Sequence, residues 1–162
     1  NNKDHEVATL DDGMKFAGDD GQTDSSKVIS KKLNTVVDIV GGADKTKLTD
    51  NNIGVNNVNG KLKVQLSKDL DLTAGGSVKM GDTTVNNGGI TIKAPTSGTT
   101  TDVHLGSDGL NNGGNKITNV AKGTADTDAV NVSQLKDAKS ELKADERHIK
   151  PGTYTVDKQT VR

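Results

Sequence analysis

His5, His104 and His148 are the only imidazoles in this chain, and they lie far apart in sequence. None has a second His or a Cys at the spacing a metal site uses. Asp11-Asp12-Gly13 and Asp19-Asp20-Gly21 resemble pieces of calcium loops. Neither supplies the alternate-position carboxylates and closing Glu of an EF-hand, or the glycine-rich nonapeptide of a calcium roll. Turn formation accounts for both pairs. The glycine pairs Gly41-Gly42, Gly75-Gly76 and Gly113-Gly114 lack the Gly-x-x-x-x-Gly-Lys-Ser/Thr order of a phosphate-binding loop. Ser25, Ser26 and the other serines stand in no nucleophile-elbow context. No two carboxylates single themselves out as an acid–base pair. The expectation is therefore no catalytic residue, no cofactor and no metal, with the histidines solvated at the surface.

What these residue types do well is make turns. The acidic residues are almost all Asp and the basic ones almost all Lys, a bias that favours many tight turns over many long helices. Phe16 and Tyr154 are the only aromatics among 162 residues, and Trp is absent. Aromatics supply much of the buried area of an ordinary core, so a monomer would have to close its interior with Val, Leu and Ile alone. Either much of the chain is disordered or the core is shared between chains. A mean hydropathy of −0.64 suits disorder. A net charge of only −1 and recurrent short apolar alternations speak against it. No basic stripe is present to neutralise phosphates, so a nucleic-acid partner is not expected.

Cysteine is absent, which suits a chain that crosses an oxidising compartment unfolded. No run reaches the length of a membrane-spanning helix, and no signal peptide is visible. The polar residues at both ends lead us to expect an internal piece of a longer protein.

The elements that must position these residues are short. Met14-Lys15-Phe16 is an apolar start broken by the Asp19-Asp20-Gly21 turn. Lys27 to Ser30 and Leu33 to Val40 are dense enough in β-branched residues to be read as strands, the second ended by Gly41-Gly42. From Asn51 to Gly60, turn residues alternate with single apolar ones. Lys61 to Lys68 is the clearest strand: Leu62, Val64 and Leu66 face one way, and Asn59-Gly60 before it is a hairpin signal. Further strands are predicted at Ser77 to Met80, Thr83 to Val85, Ile90 to Lys93 and Val103 to Leu105. Gly81-Asp82 and Asn86 to Gly89 form turns between them, and Pro95 to Thr101 forms a loop.

From Asn115 the pattern changes. Ile117-Thr118-Asn119-Val120 alternates, Gly123 interrupts, and Asp126 and Asp128 stand ahead of a helical run. An acidic residue there would satisfy free N–H groups and suit the helix dipole. The stretch from Gly109 to Leu135, and Asp128-Ala-Val-Asn-Val-Ser-Gln-Leu135 above all, resembles the neck of trimeric autotransporter adhesins, which joins a β-rich head to a coiled-coil stalk. More loosely, Phe16-Ala17-Gly18, Asp50-Asn-Asn-Ile-Gly-Val55 and Thr83-Thr-Val-Asn-Asn-Gly-Gly-Ile-Thr-Ile92 look like the head modules of that family.

Beyond the neck, Leu135, Leu142 and Ile149 are seven apart, with Ala138 at an intermediate core position and Asp145 where the next core residue belongs. Two heptads alone are a weak coiled-coil signal; joined to the neck they read as the first turns of a stalk. Pro151-Gly152 should end the helix, and Thr153 to Val156 looks like the opening of another β module.

The expected fold class is mainly β with a short α-helical coiled coil. The expected division is a β-rich head over residues 1–108, a neck over 109–134, a short stalk over 135–150 and the start of a further β module over 151–162. The resemblance implies an interleaved homotrimeric β-prism, with Ile117, Val120, Val130, Val132, Leu135, Leu142 and Ile149 holding neck and stalk together. It also implies a bacterial cell-surface protein anchored in the outer membrane by a C-terminal β-barrel outside this stretch. The implied work is attachment to host cells or extracellular matrix, autoaggregation and biofilm formation. The rivals are a purely structural spacer of the adhesin fibre and a bacteriophage tail-fibre segment, and the neck motif separates the last from the others.

Overall fold

The computed structural model describes residues 3–148. The chain divides into two units, one up to Asp69 and one from Leu70 onward. Among the described residues there are nine strands and one α-helix, which makes the fold mainly β with one short helix.

In the first unit, β1 (Gly13–Phe16) pairs antiparallel with β2 (Ile29–Lys32), placing Phe16 opposite Ile29. Between them the Asp19-Asp20-Gly21 turn winds into a 3-10 turn over Asp20–Gln22. A second 3-10 turn, Ser25–Lys27, is capped by Asp24, whose carboxylate accepts from the Ser26 N–H at 3.0 Å and its hydroxyl at 2.7 Å. Lys27 thus belongs to a turn, and the strand expected there starts at Ile29.

β3 (Ile53–Val58) and β4 (Lys61–Leu66) form a hairpin. The stretch read as alternating turn residues is therefore itself a strand over Ile53–Val58, because the ladder to β4 outweighs the weak β preference of its asparagines. Asn59 and Gly60 both have positive φ, 52° and 78°. That is the type I′ geometry whose twist matches the flanking strands. The register puts Ile53 opposite Leu66, Val55 opposite Val64 and Asn57 opposite Leu62, so the five apolar residues share one face.

The expected strand from Leu33 to Val40 does not form. Residues 33–35 turn, with Asn34 at φ 59°, and residues 36–40 have no strand partner within the described chain. Ile39 and Val40 are 91 % and 87 % exposed. β-branched composition favours an extended backbone, but a strand also needs a neighbour to bond to.

In the second unit, β5 (Ser77–Met80), β6 (Thr83–Asn86), β7 (Gly89–Ile92), β8 (Val103–Gly106) and β9 (Gly109–Asn111) form one five-stranded antiparallel meander. β9 falls within the stretch assigned from sequence to the start of the neck. Gly89 is required where it stands: its φ is 117°, and a Cβ there would run into the carbonyl of Leu105.

The registers align side chains in rows across all five strands. Val78, Val85, Ile90, Leu105 and Leu110 lie in one row on one face, with Met80, Thr83, Ile92 and Val103 beside them. Lys79, Thr84, Thr91, His104 and Asn111 form a row on the opposite face. Unlike in an ordinary half-buried sheet, neither face is covered by the described residues. Thr84, Thr91 and His104 on the polar face and Thr83 and Val103 on the apolar face are half-buried, whereas the other side chains of both rows are exposed.

No apolar side chain among the described residues is buried; Asn52 is the buried polar one. The chain exposes 15715 Å². A compact monomer of 16.9 kDa would expose about 7,700 Å². The sheets are formed, yet among the described residues neither unit buries an apolar side chain of its own.

Candidate functional site

The most constructed part of the molecule is the connection between the sheet and α1 (Val132–His148). Residues 115–131 contain no strand; side chains hold their path. Asn119 takes the left-handed conformation, with φ 61°, which Asn tolerates better than most residues. The carboxylate of Asp128 accepts from the N–H groups of Thr124 at 2.9 Å and Ala125 at 3.0 Å, while Asp128 N–H donates to the Ala125 carbonyl. These bonds, Ala125 first, hold the Asp128 carboxyl below the ordinary Asp value.

Asp126 and Asp128 were expected to serve the start of the helix. Asp128 instead closes the turn before it, and Asn131 is the residue that caps the helix. Its side-chain oxygen accepts from Gln134 N–H at 3.2 Å and from the Ser133 hydroxyl at 2.6 Å. Gln134 answers by accepting from Asn131 N–H at 3.2 Å. This reciprocal Asn-x-x-Gln arrangement is a capping box. Its spacing was present in the sequence and is the signal that locates the helix start.

The same two residues reach back along the chain. Gln134 takes the Gly123 N–H on its oxygen and donates to the Gly123 carbonyl, both at 2.9 Å. Asn131 donates to the Val120 carbonyl at 2.9 Å. The amide of Gln134 thus substitutes for a β-bridge partner of Gly123. The approach is close enough that a Cβ on residue 123 would stand 2.6 Å from the Ala129 carbonyl oxygen. Lys122 and Asp137 form an ion pair at 3.2 Å from connector to helix; with both side chains well exposed it adds little.

Around this scaffold stand the apolar residues expected to hold neck and stalk together. Ile117, Val130, Val132, Leu135 and Leu142 are each 66 to 69 % exposed, and Val120 is half-buried. One chain does not bring them into a common core. Leu135 and Leu142 stand two helical turns apart along α1, on one side of it. Ile149, the helix end at Pro151-Gly152 and the strand expected over Thr153 to Val156 lie outside the described residues.

The histidines differ from expectation in one respect. His104 is half-buried on β8, and its Nδ1 lies 2.9 Å from the Thr91 hydroxyl on β7. It is a partnered cross-strand residue, not a solvated one. His5 is exposed. Asp102 accepts from Ala94 N–H at 2.8 Å and pairs with Lys93 at 2.9 Å, which holds its carboxyl below the ordinary value. Among the described residues, no three His, Asp or Glu side chains gather as a metal site would require. No helix there is long and apolar enough to cross a membrane.

Comparison with known proteins bears on the same connector and helix. Residues 116–157 match the family described as the coiled stalk of trimeric autotransporter adhesin. Over 130 residues the chain is 40 % identical to the trimeric autotransporter adhesin AtaA of Acinetobacter sp. (strain Tol 5), a match that takes in 80 % of this chain. It spans only 3 % of that relative's length. Among solved structures, N-terminal domain 1 of VompD from Bartonella quintana is similar at 29 % identity, covering 78 % of this chain and 98 % of that one, with a TM-score of 0.47. The C-terminal stalk of AtaA fused to GCN4 adaptors is similar at 32 % identity, covering 64 % and 34 % respectively, with a TM-score of 0.32. On its sequence matches, across the connector and helix and over four fifths of its length, the chain belongs to the trimeric autotransporter adhesins.

Proposed function

We propose that this chain works as a homotrimeric segment of a bacterial surface adhesin. The residues before about 109 form its head and 109–134 its neck; 135–150 open a stalk, and 151–162 open a further β module. The observation that carries this reading is a set of well-formed sheets with no buried apolar side chain among the described residues. The row Val78–Val85–Ile90–Leu105–Leu110, the hairpin face with Ile53, Val55 and Val64, and the neck residues Ile117, Val130, Val132 and Leu135 would face the threefold axis or a neighbouring chain. Covering even half of the excess surface, about 4,000 Å² per chain, falls in the range of obligate assemblies. An isolated two-stranded hairpin is marginal in water, so β3–β4 in particular calls for a neighbour.

The segment 36–40 supports the same reading, because an apolar, β-branched stretch with no strand partner among the described residues is suited to pair with a strand from another copy. Sedimentation across a dilution series tests the assembly. A trimer that unfolds as it dissociates is expected; a folded, monodisperse monomer would overturn it.

As function, we propose attachment to host cells or extracellular matrix, with autoaggregation and biofilm formation, from a position on the cell surface anchored in the outer membrane. Many weak contacts on one fibre gain avidity through high effective concentration. Beads carrying the purified trimer should adhere to matrix-coated surfaces better than beads carrying dissociated chain. An intact trimer that never adheres would leave this segment a spacer of the fibre.

A further inference from the structure

The polar face of the five-stranded sheet holds more than solvated side chains. Its central row runs Lys79, Thr84, Thr91, His104, Asn111, at a strand spacing of about 4.8 Å. At the β7–β9 end of this row lies a shallow concavity, wide open to solvent, of about 620 Å³. Thr91, His104 and Asn111 line it from the sheet, and Thr100, Thr101 and Asp102 line it from the connection between β7 and β8. That connection is fastened at its end, because Thr101 N–H donates to the Gly113 carbonyl at 2.9 Å and Asp102 holds Ala94 and Lys93. The lining is thus supported from both sides.

We propose that this concavity binds a neutral, polyhydroxylated ligand, a glycan, on the outward side of the head. The choice of ligand follows from charge. The one carboxylate in the lining, Asp102, is occupied by a lysine and a backbone N–H. The cations of the face are Lys93, in that pair, and Lys79, on β5 at the far end of the row. What remains is the hydroxyls of Thr100 and Thr101, the spare capacity of the Thr91 hydroxyl that already meets His104 Nδ1, the second ring nitrogen of His104 and the amide nitrogen of Asn111, whose oxygen already accepts from Gly113 N–H at 3.0 Å. Such a set donates and accepts without net charge, which matches sugar hydroxyls better than sulfate or phosphate. The lining side chains include no Phe, Tyr or Trp to stack a sugar ring. Each site should therefore bind weakly, and a trimer with three of them gains by avidity. The outward placement rests on the assembly reading above; the concavity itself is built by one chain.

The test is an NMR titration of the purified chain with N-acetyllactosamine and mannobiose, and separately with a sulfated heparin disaccharide, each to about 10 mM so that a millimolar Kd is visible. Saturable shifts at the Asn111 side-chain amide and the His104 ring with a neutral sugar are expected, and none with the sulfated one. Thr100→Val and Thr101→Val keep volume and backbone bonds, and each should weaken binding about fivefold, the equivalent of one lost hydrogen bond. Thr84→Val, outside the concavity, should change nothing. An absence of shifts, preference for the sulfated sugar, or equal binding by the Thr101→Val chain overturns the proposal. Sedimentation of the same samples keeps the two ideas apart. A trimer that fails to bind removes the site and leaves the assembly, whereas a monomer that binds does the reverse.

Discussion

Replacing Gln134 with Ala removes one side chain and three hydrogen bonds: two to Gly123 at 2.9 Å and one from Asn131 N–H at 3.2 Å. A net hydrogen bond contributes about 0.5–1.5 kcal/mol. These three are half-buried, which places the loss near 2–3 kcal/mol per chain, or roughly 6–9 kcal/mol for three chains. Ala is a better helix former than Gln, so local propensity opposes the loss by only a few tenths. In a cooperative assembly both the lost free energy and the unfolding entropy scale with chain number. The melting temperature should therefore fall by about 5–10 °C. Far-UV circular dichroism at one fixed protomer concentration measures it, since the midpoint of an oligomer moves with concentration. Gln134→Glu keeps the oxygen that accepts from Gly123 and Asn131 but loses the donor to the Gly123 carbonyl, so it should fall between parent and Ala. Faster amide exchange at Gly123 in the Ala variant would locate the effect. A Gln134→Ala chain melting within about 2 °C of the parent, with Gly123 still protected, would refute the argument that this amide holds the connector to the helix.

Two further outcomes follow from the same structure. Val132 is 67 % exposed in one chain; with Val132 at the threefold axis, as proposed, Val132→Asp would bring three carboxylates together without partners, a costly arrangement. Trimer melting should drop sharply, and a variant that melts within a few degrees of the parent would place Val132 away from the interface. Acid should loosen the turns: Asp24, Asp44, Asp102 and Asp128 all have carboxyls held below the ordinary Asp value of 3.8 by backbone or side-chain hydrogen bonds. A depressed folded-state value means that their contribution is complete above the ordinary value and disappears as pH falls through the lowered one. Melts at pH 7, 5 and stepwise below 3.8 should stay level and then decline, and Asp128→Asn should reduce that decline.

Turns, hairpins and strand alternation were legible because they are set by neighbours in sequence. Asn59-Gly60 takes positive φ at both positions because few other pairs do so at low cost, and Lys61–Leu66 alternates because one face is to be covered. The family resemblance was carried by Asp128 to Leu135, a run whose order is specific without any coordinates. Strand pairing was not legible, because it depends on which partner is within reach. Leu33 to Val40 has strand composition and, among the described residues, no strand to pair with, whereas Ile53–Val58, half asparagine and glycine, became a strand because β4 lies beside it. The helix start was missed for a related reason. Asp126 and Asp128 are good capping residues in isolation, and only the folded path shows Asp128 closing an earlier turn and Asn131 at the cap. The tertiary structure alone also decided which side chains share a row. Thr91, His104 and Asn111 are separated by 13 and 7 positions in sequence and become adjacent through the registers of three strands. Local residue chemistry fixes local geometry; long-range hydrogen bonding assigns the neighbours, and those neighbours decide where a site can stand.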